Sequence, residues 1–126
     1  MQNTKKLGIW MDHNKAQIME MKNYSILSNI INSNTTIGDK PNFGNDESLQ
    51  QNTEQDQLKE YFKSLSKVIK GFEEVVLFGP TNAKTELFNL LREDSHYNDI
   101  KIEVETTDNL SVNQMHAFVR DYYKKK

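Results

Sequence analysis

Val75-Val76-Leu77-Phe78-Gly79-Pro80-Thr81-Asn82-Ala83-Lys84 is the stretch that decides the fold of this chain. Four apolar residues run directly into a Gly-Pro turn, and the pattern that follows predicts an amphipathic helix from about Thr81 to Glu93. The residues expected to be buried in that helix are Ala83, Leu87, Leu90 and Leu91. Because the strand is apolar on both faces, it is expected inside a parallel sheet. The stretch therefore predicts a βα unit.

The sequence before this unit predicts three strands, a loop and a helix. Apolar runs at 7–13, 16–21 and 25–31, separated by short polar breaks, predict an antiparallel meander. The segment 33–52 is rich in Asn, Gly, Ser, Asp and Gln, and its apolar residues show neither the spacing of a helix nor the alternation of a strand. We therefore expect a long, mobile loop there. Apolar residues at three- and four-residue spacing then predict a helix at 53–72.

The segments after the unit complete the order βββαβαβα. Alternation of apolar and polar residues predicts a strand at 100–106. Ser111 and Gln114 form the pattern of a capping box, which predicts the start of the last helix. We therefore expect one α/β domain over residues 1–126, with a mixed five-stranded sheet and helices packed on it.

Composition excludes several classes of function. With 126 residues and a formal net charge of -2, the chain is not a polycation, so any nucleic-acid contact must come from local charge. Cysteine is absent, which excludes disulfides, thiolate metal sites and a cysteine nucleophile. The first residues lack the pattern of a signal peptide, and no segment approaches the roughly 20 apolar residues that cross a bilayer. These features predict a soluble, cytoplasmic protein without a membrane partner.

A row of lysines is the first candidate binding site. Lys59, Lys63, Lys67 and Lys70 recur every three or four residues on the polar side of the helix at 53–72. Such a stripe is suited to contact phosphate groups. The alternative interpretation is a solvated helix face without a ligand.

The turn after the apolar strand is the second candidate. It has only Gly79 where a P-loop needs two glycines, so ATP binding of that kind is not expected. Thr81, the first N–H groups of the helix and Lys84 could together hold a single anionic group. The alternative is that Thr81 caps the helix while Lys84 is solvated.

A metal-dependent nuclease is the competing chemical hypothesis. Asp12 follows the first strand, and Glu103 or Glu105 could join it in holding metal ions for phosphodiester hydrolysis. The alternative is that Asp12 caps the turn that follows it. The three histidines occur singly and not at metal-ligand spacing, so neither a metal centre nor a cofactor is predicted from them.

Three short segments carry a resemblance to a known family: Ile9-Trp10-Met11-Asp12-His13, Val75 to Pro80 followed by Ala83-Lys84-x-Glu86-Leu87, and Glu105-Thr106-Thr107-Asp108 before a capped helix. The chain resembles bacterial relatives of the central domain of the archaeo-eukaryotic class I peptide-release factor and its ribosome-rescue relative Pelota. The resemblance implies a ribonuclease H-like α/β fold and association with the ribosome or with tRNA.

One departure from the family pattern bears on the chemistry. Release factors of this family act through a Gly-Gly-Gln tripeptide, and this chain has no Gly-Gly pair. Peptidyl-tRNA hydrolysis by the family mechanism is therefore not expected, whereas Pelota also lacks the tripeptide and is a binder. The resemblance thus implies a non-catalytic protein that binds the ribosome or RNA without a cofactor. A protein-interaction or homo-oligomeric module, using the loop at 33–52, is the remaining alternative.

Overall fold

Five strands and three α-helices make up the described part of the computed structural model, which covers residues 5–22, 25–32 and 53–124. The strands are β1 (Lys6–Met11), β2 (Lys15–Lys22), β3 (Ser25–Asn32), β4 (Glu74–Gly79) and β5 (Lys101–Thr106). The helices are α1 (Thr53–Ile69), α2 (Ala83–Arg92) and α3 (Val112–Lys124), and a 3-10 turn covers Ser95–Tyr97. The expected loop at 33–52 lies outside the described residues.

The strands form one mixed sheet in the order β3-β2-β1-β4-β5. β1 pairs with β2, and β2 with β3, in antiparallel register, whereas β1, β4 and β5 are parallel to one another. This arrangement confirms the mixed five-stranded sheet that the sequence predicts. It also confirms the predicted position of β4 between two parallel neighbours. A strand that is apolar on both faces is expected there, because both of its faces are covered.

Helices cover both faces of the sheet. α1 and α2 pack on the face that carries Leu7, Ile9, Leu77 and Ile102, and their buried residues join the same hydrophobic cluster. α3 packs on the opposite face, where Trp10 and Phe78 meet its buried side chains. The buried residues of α3 are Met115, Val119 and Tyr123. The described part is therefore a three-layer structure with the sheet in the middle.

The two helices after β4 begin in different ways. The Ser111 N–H donates to Oε1 of Gln114 at 2.9 Å, and the Gln114 N–H donates to Oγ of Ser111 at 3.1 Å. The predicted capping box is thus confirmed. α2 begins at Ala83, two residues later than predicted, and its cap residue Asn82 makes no capping hydrogen bond with its side chain.

Two tyrosine hydroxyls connect the helical layers to β1. The Tyr61 hydroxyl on α1 donates to the Asp12 carbonyl oxygen at 2.7 Å, and the Tyr123 hydroxyl on α3 donates to the Leu7 carbonyl oxygen at 2.8 Å. Each bond reaches one end of the strand. Among the described helices, none combines the length and apolar composition needed to cross a membrane.

Candidate nucleic-acid interface

α1 separates its apolar and basic residues onto two faces. Tyr61, Phe62, Leu65 and Ile69 are buried against the sheet. On a helix with 3.6 residues per turn, residues offset from these by two positions face away from the core. Lys59, Lys63 and Lys67 have that offset, Lys70 directly follows the end of α1, and all four are exposed. The structure therefore places three of the predicted lysines on the outer surface of α1 and the fourth just beyond its C-terminal end, and we call these four residues the lysine face.

The positive charges of the lysine face are not matched by ion pairs in the described residues. The ion pairs found in that part of the chain join His13 to Glu86, Lys22 to Glu20, and His96 to Asp94. Like charges spaced four residues apart on a helix repel one another by a few tenths of a kcal/mol. An anionic ligand would relieve this repulsion, so the lysine face is suited to phosphate groups.

A groove runs between the lysine face and the end of α2. Lys59, Lys63 and Lys67 line one wall, and its volume is about 730 Å³. The other lining residues are Ser66, Leu90, Leu91, Glu93, Asp94, Ser95 and Tyr97. Tyr97 fixes this wall to α1, because its hydroxyl donates to the Ser66 carbonyl oxygen at 3.0 Å. The groove thus has one basic wall and one wall of mixed apolar and acidic character.

The acidic wall is organised by its own hydrogen bonds. Oδ1 of Asp94 accepts from the His96 backbone N–H at 2.9 Å and lies 2.8 Å from Nδ1 of the same histidine. These contacts with His96, followed by the positive charge of Lys70, hold the pKa of Asp94 below its ordinary value. Asp94 is therefore ionised at neutral pH and hydrogen-bonded within its own turn, and its ion pair in the described residues is with His96 and not with a lysine.

Sequence reasoning missed this acidic and apolar wall. Leu90 is predicted to be buried, but 45% of its surface is exposed. The reason is that α2 buries the narrower stripe of Ala83, Lys84, Leu87 and Leu91, which leaves Leu90 at the rim of the groove. Glu93 and Asp94 have no sequence signal of their own, because they reach the groove only through the packing of α2 beside α1.

The turn after β4 is built for close packing. Gly79 has a φ of +145°, and a Cβ atom there would lie 2.3 Å from the Met11 carbonyl oxygen. Only glycine therefore fits without moving β1. Thr81 is half-buried and its Oγ1 accepts from the Ala83 N–H at 3.2 Å. Neither residue lines the groove at the lysine face.

Lys84 is not solvated, contrary to the simpler sequence interpretation. Only 2% of its surface is exposed, and its Nζ donates to the Thr81 carbonyl oxygen. Burial lowers the pKa of Lys84 from its ordinary value. An ammonium group held inside the fold on a backbone carbonyl is not placed to meet a phosphate group from solution. Lys84 is therefore not part of the lysine face, and it does not line the groove.

The structure does not support the nuclease hypothesis. Oδ1 of Asp12 accepts from the N–H groups of Asn14 at 2.8 Å and Lys15 at 2.9 Å, as expected for a residue that caps a turn. Glu103 accepts a hydrogen bond from the Tyr122 hydroxyl. β4 separates β1 from β5, so Glu105 lies two strand spacings, about 10 Å, from β1. Within the described residues, no three carboxylate or imidazole groups are arranged to hold a metal ion.

Comparison with solved structures shows what this fold resembles. The chain is similar to Pelota from Archaeoglobus fulgidus, with a TM-score of 0.61, 10% identity, and coverage of 98% of this chain and 32% of that one. It is also similar to Pelota from Thermoplasma acidophilum, with a TM-score of 0.58, 16% identity, and coverage of 93% and 32%. The chain therefore has an α/β fold similar to part of these two Pelota proteins, and it spans about a third of their length.

A more distant likeness links the chain to the archaeal translation termination factor aRF1. The TM-score is 0.49 at 13% identity, with coverage of 96% of this chain and 39% of that one. No family model and no curated protein sequence matches the chain significantly.

Proposed function

We propose that this protein is a non-catalytic, translation-associated protein that binds ribosomal or transfer RNA in the cytoplasm. The observation that carries the proposal is the lysine face: three exposed lysines along the outside of a well-packed helix and a fourth at its end, without ion pairs in the described residues. The fold likeness to Pelota and the absence of a Gly-Gly pair both support a binding role without hydrolysis.

The geometry of the lysine face favours a phosphate backbone over a single small anion. Lys59 and Lys67 are eight residues apart, which corresponds to about 12 Å along a helix. A single phosphate group cannot span that distance, whereas two or three consecutive phosphates of an RNA strand can. The acidic wall opposite the lysines would repel the RNA backbone from that side of the groove. The RNA strand would therefore run along α1 and not across it.

Charge reversal on the lysine face tests the proposal. Lys59, Lys63 and Lys67 are replaced together by glutamate, and co-sedimentation with ribosomes is measured at low salt. We expect co-sedimentation to be lost. In binding to a short RNA, each lysine removed is expected to lower the slope of log K against log salt by about one. The acyl ester of a model peptidyl-tRNA should remain intact with either protein.

A charge-matched variant serves as the control. Lys101, Arg120 and Lys124 are exposed and lie on β5 and α3, away from the lysine face. Replacing these three with glutamate changes the net charge by the same amount. If both triple variants lose co-sedimentation equally, binding depends on the net charge of the protein and not on the lysine face. Unchanged co-sedimentation in the lysine-face variant would reject the proposed function.

A further inference from the structure

β3 is the edge strand of the described sheet, and its outer side carries backbone groups that no described strand pairs. Its register with β2 is continuous over eight residue pairs, from Lys22 opposite Ser25 to Lys15 opposite Asn32. No bulge interrupts this register. Between Ile26 and Ile31, the outer side of β3 therefore presents N–H and C=O groups that none of the described strands pairs, which is a template for another strand.

The sequence of β3 also lacks the residues with which edge strands usually avoid pairing. Its sequence, Ser-Ile-Leu-Ser-Asn-Ile-Ile-Asn, contains no charged residue, no proline and no glycine. Leu27 exposes 54% of its surface and Ile30 exposes 57%. Side chains alternate between the two faces along a strand, and Leu27 and Ile30 are three residues apart, so they lie on opposite faces of the sheet. On β2, Leu27 pairs with Glu20 and Ile30 pairs with Gln17. A partner strand could therefore cover apolar surface on both faces.

We propose that a second copy of this chain pairs with β3, strand to strand and antiparallel, around a two-fold axis at Asn29. In this register Leu27 of each copy lies opposite Ile31 of the other, and Ile30 lies opposite Ser28. The two Asn29 side chains meet at the axis, where amide groups can bond to each other. An axis at Ser28 is less favourable, because its Oγ already contacts Nε2 of Gln17 at 2.5 Å and Nε2 of His116 at 3.3 Å.

The partner is a second copy because the strand is complementary to itself. Apolar residues meet apolar residues and asparagine meets asparagine on the face of Leu27, so one surface patch serves both subunits, as a two-fold interface requires. The absence of charge on β3 removes the repulsion that normally opposes contact between identical surfaces. Strand pairing alone buries a small area, so we expect a weak dimer whose population depends on concentration.

The proposed dimer has a geometric consequence for RNA binding, although it does not depend on that function. A two-fold axis perpendicular to the sheet joins two five-stranded sheets into one and keeps each face on the same side. Both copies of α1 then lie on one side of the joined sheet. Two lysine faces would act together on a long RNA, which raises the apparent affinity without any new contact.

The first experiment measures the dimer by sedimentation velocity over a concentration series. The variant with Leu27→Lys and Ile30→Lys is expected to dimerise at least tenfold more weakly than the unaltered chain, since edge lysines oppose strand pairing. Leu90→Lys is the matched control, because Leu90 is 45% exposed and lies on α2. Circular dichroism establishes that each variant is folded. A chain that is monomeric at every concentration, or a dimer that the double variant leaves unchanged, overturns the proposal.

The second experiment tests the axis by cross-linking. The chain contains no cysteine, so a single cysteine reports on one position. In an antiparallel pair, residues directly opposite each other have Cα atoms about 4.5–5.5 Å apart, within the range of a disulfide. Asn29→Cys is therefore expected to form a covalent dimer on mild oxidation. Asn89→Cys, exposed on α2, is the control. Equal cross-linking of both variants, or cross-linking through Ser28→Cys in place of Asn29→Cys, overturns the proposed arrangement.

Discussion

Gly8 shows how one residue can set the distance between two layers. It lies on β1 beneath α3, and a Cβ atom there would be 2.4 Å from Cγ2 of Val119 and 3.0 Å from Cγ1. Val119 is fully buried, so it has no open space into which it can move. The absence of a side chain at Gly8 thus allows α3 to pack directly on the sheet.

We therefore predict that Gly8→Ala destabilises the fold. Overpacking of this kind costs about 1–3 kcal/mol, because α3 must shift away from β1. The free energy of unfolding in urea measures the effect. Gly71→Ala is the control, since the nearest atom to its Cβ would be the Val68 carbonyl oxygen at 3.7 Å. The prediction fails if the two variants lose the same stability.

Lys84 is the second residue whose environment has a measurable consequence. Its ammonium group is buried with the Thr81 carbonyl oxygen as its hydrogen-bond acceptor. We predict that Lys84→Met raises the free energy of unfolding by about 1 kcal/mol at pH 7, because an incompletely solvated charge is removed. Lys101→Met, at an exposed position, should change stability by less than about 0.5 kcal/mol.

The pH dependence of the Lys84 effect has a defined sign. The pKa of Lys84 is lowered in the folded state, so between that value and about 10.5 the unfolded chain binds more protons. In this range the contribution of Lys84 to the stability of the unaltered chain rises with pH. The advantage of Lys84→Met should therefore shrink as the pH increases toward 10.5. An advantage that is constant over this range would contradict our account of Lys84.

At the scale of elements, the starts of α2 and α3 differ in a way that can be tested. Ser111 caps α3 through its side chain, whereas Asn82 makes no such bond at α2. Ser111→Ala is expected to lower the free energy of unfolding by about 1 kcal/mol, because it leaves the Gln114 N–H without its intramolecular acceptor. Asn82→Ala should cost less. Equal losses of stability in thermal unfolding experiments would show that the hydrogen bonds of the capping box do not stabilise α3.

The contrast between these elements also explains what the sequence could predict. The capping box and the strand at β4 depend on neighbouring residues, so local patterns were sufficient. The groove depends on how α2 lies beside α1, and no local pattern contains that information. Lys84 is an intermediate case: it lies three residues before Leu87 and seven before Leu91, on the buried stripe of α2. That spacing predicts a buried position for residue 84, but a lysine is normally expected in solvent.

The lysine face was predictable for the same reason as the capping box. Lys59 and Lys63 fall between the apolar positions of a strongly periodic helix, so their exposure follows from that period. Their position opposite Glu93 and Asp94 does not follow from it. The candidate binding residues on α1 could thus be named from the sequence, but the shape of the groove that they line could not.

At the scale of the whole molecule, buried tyrosine hydroxyls hold the three layers together. Tyr61 connects α1 to the end of β1, and Tyr123 connects α3 to its beginning. Burial raises the pKa of both tyrosines above the ordinary value of 10.0, with Asp12 adding to the effect at Tyr61 and Tyr122 at Tyr123. Ionisation of either hydroxyl in the folded state is therefore strongly opposed.

We predict from these two tyrosines that the structure loses stability in alkali. Above pH 10 the unfolded chain releases phenolic protons that the folded chain retains, so stability falls as the pH rises. Each tyrosine contributes about 1.4 kcal/mol per pH unit to this decline. The variant with Tyr61→Phe and Tyr123→Phe should be less stable at pH 7, by about 1 kcal/mol for each lost hydrogen bond. Its stability should nevertheless decline less steeply above pH 10, so that the two curves converge. Urea unfolding at several pH values measures both slopes, and parallel curves would contradict the raised pKa values of the two hydroxyls in the folded state.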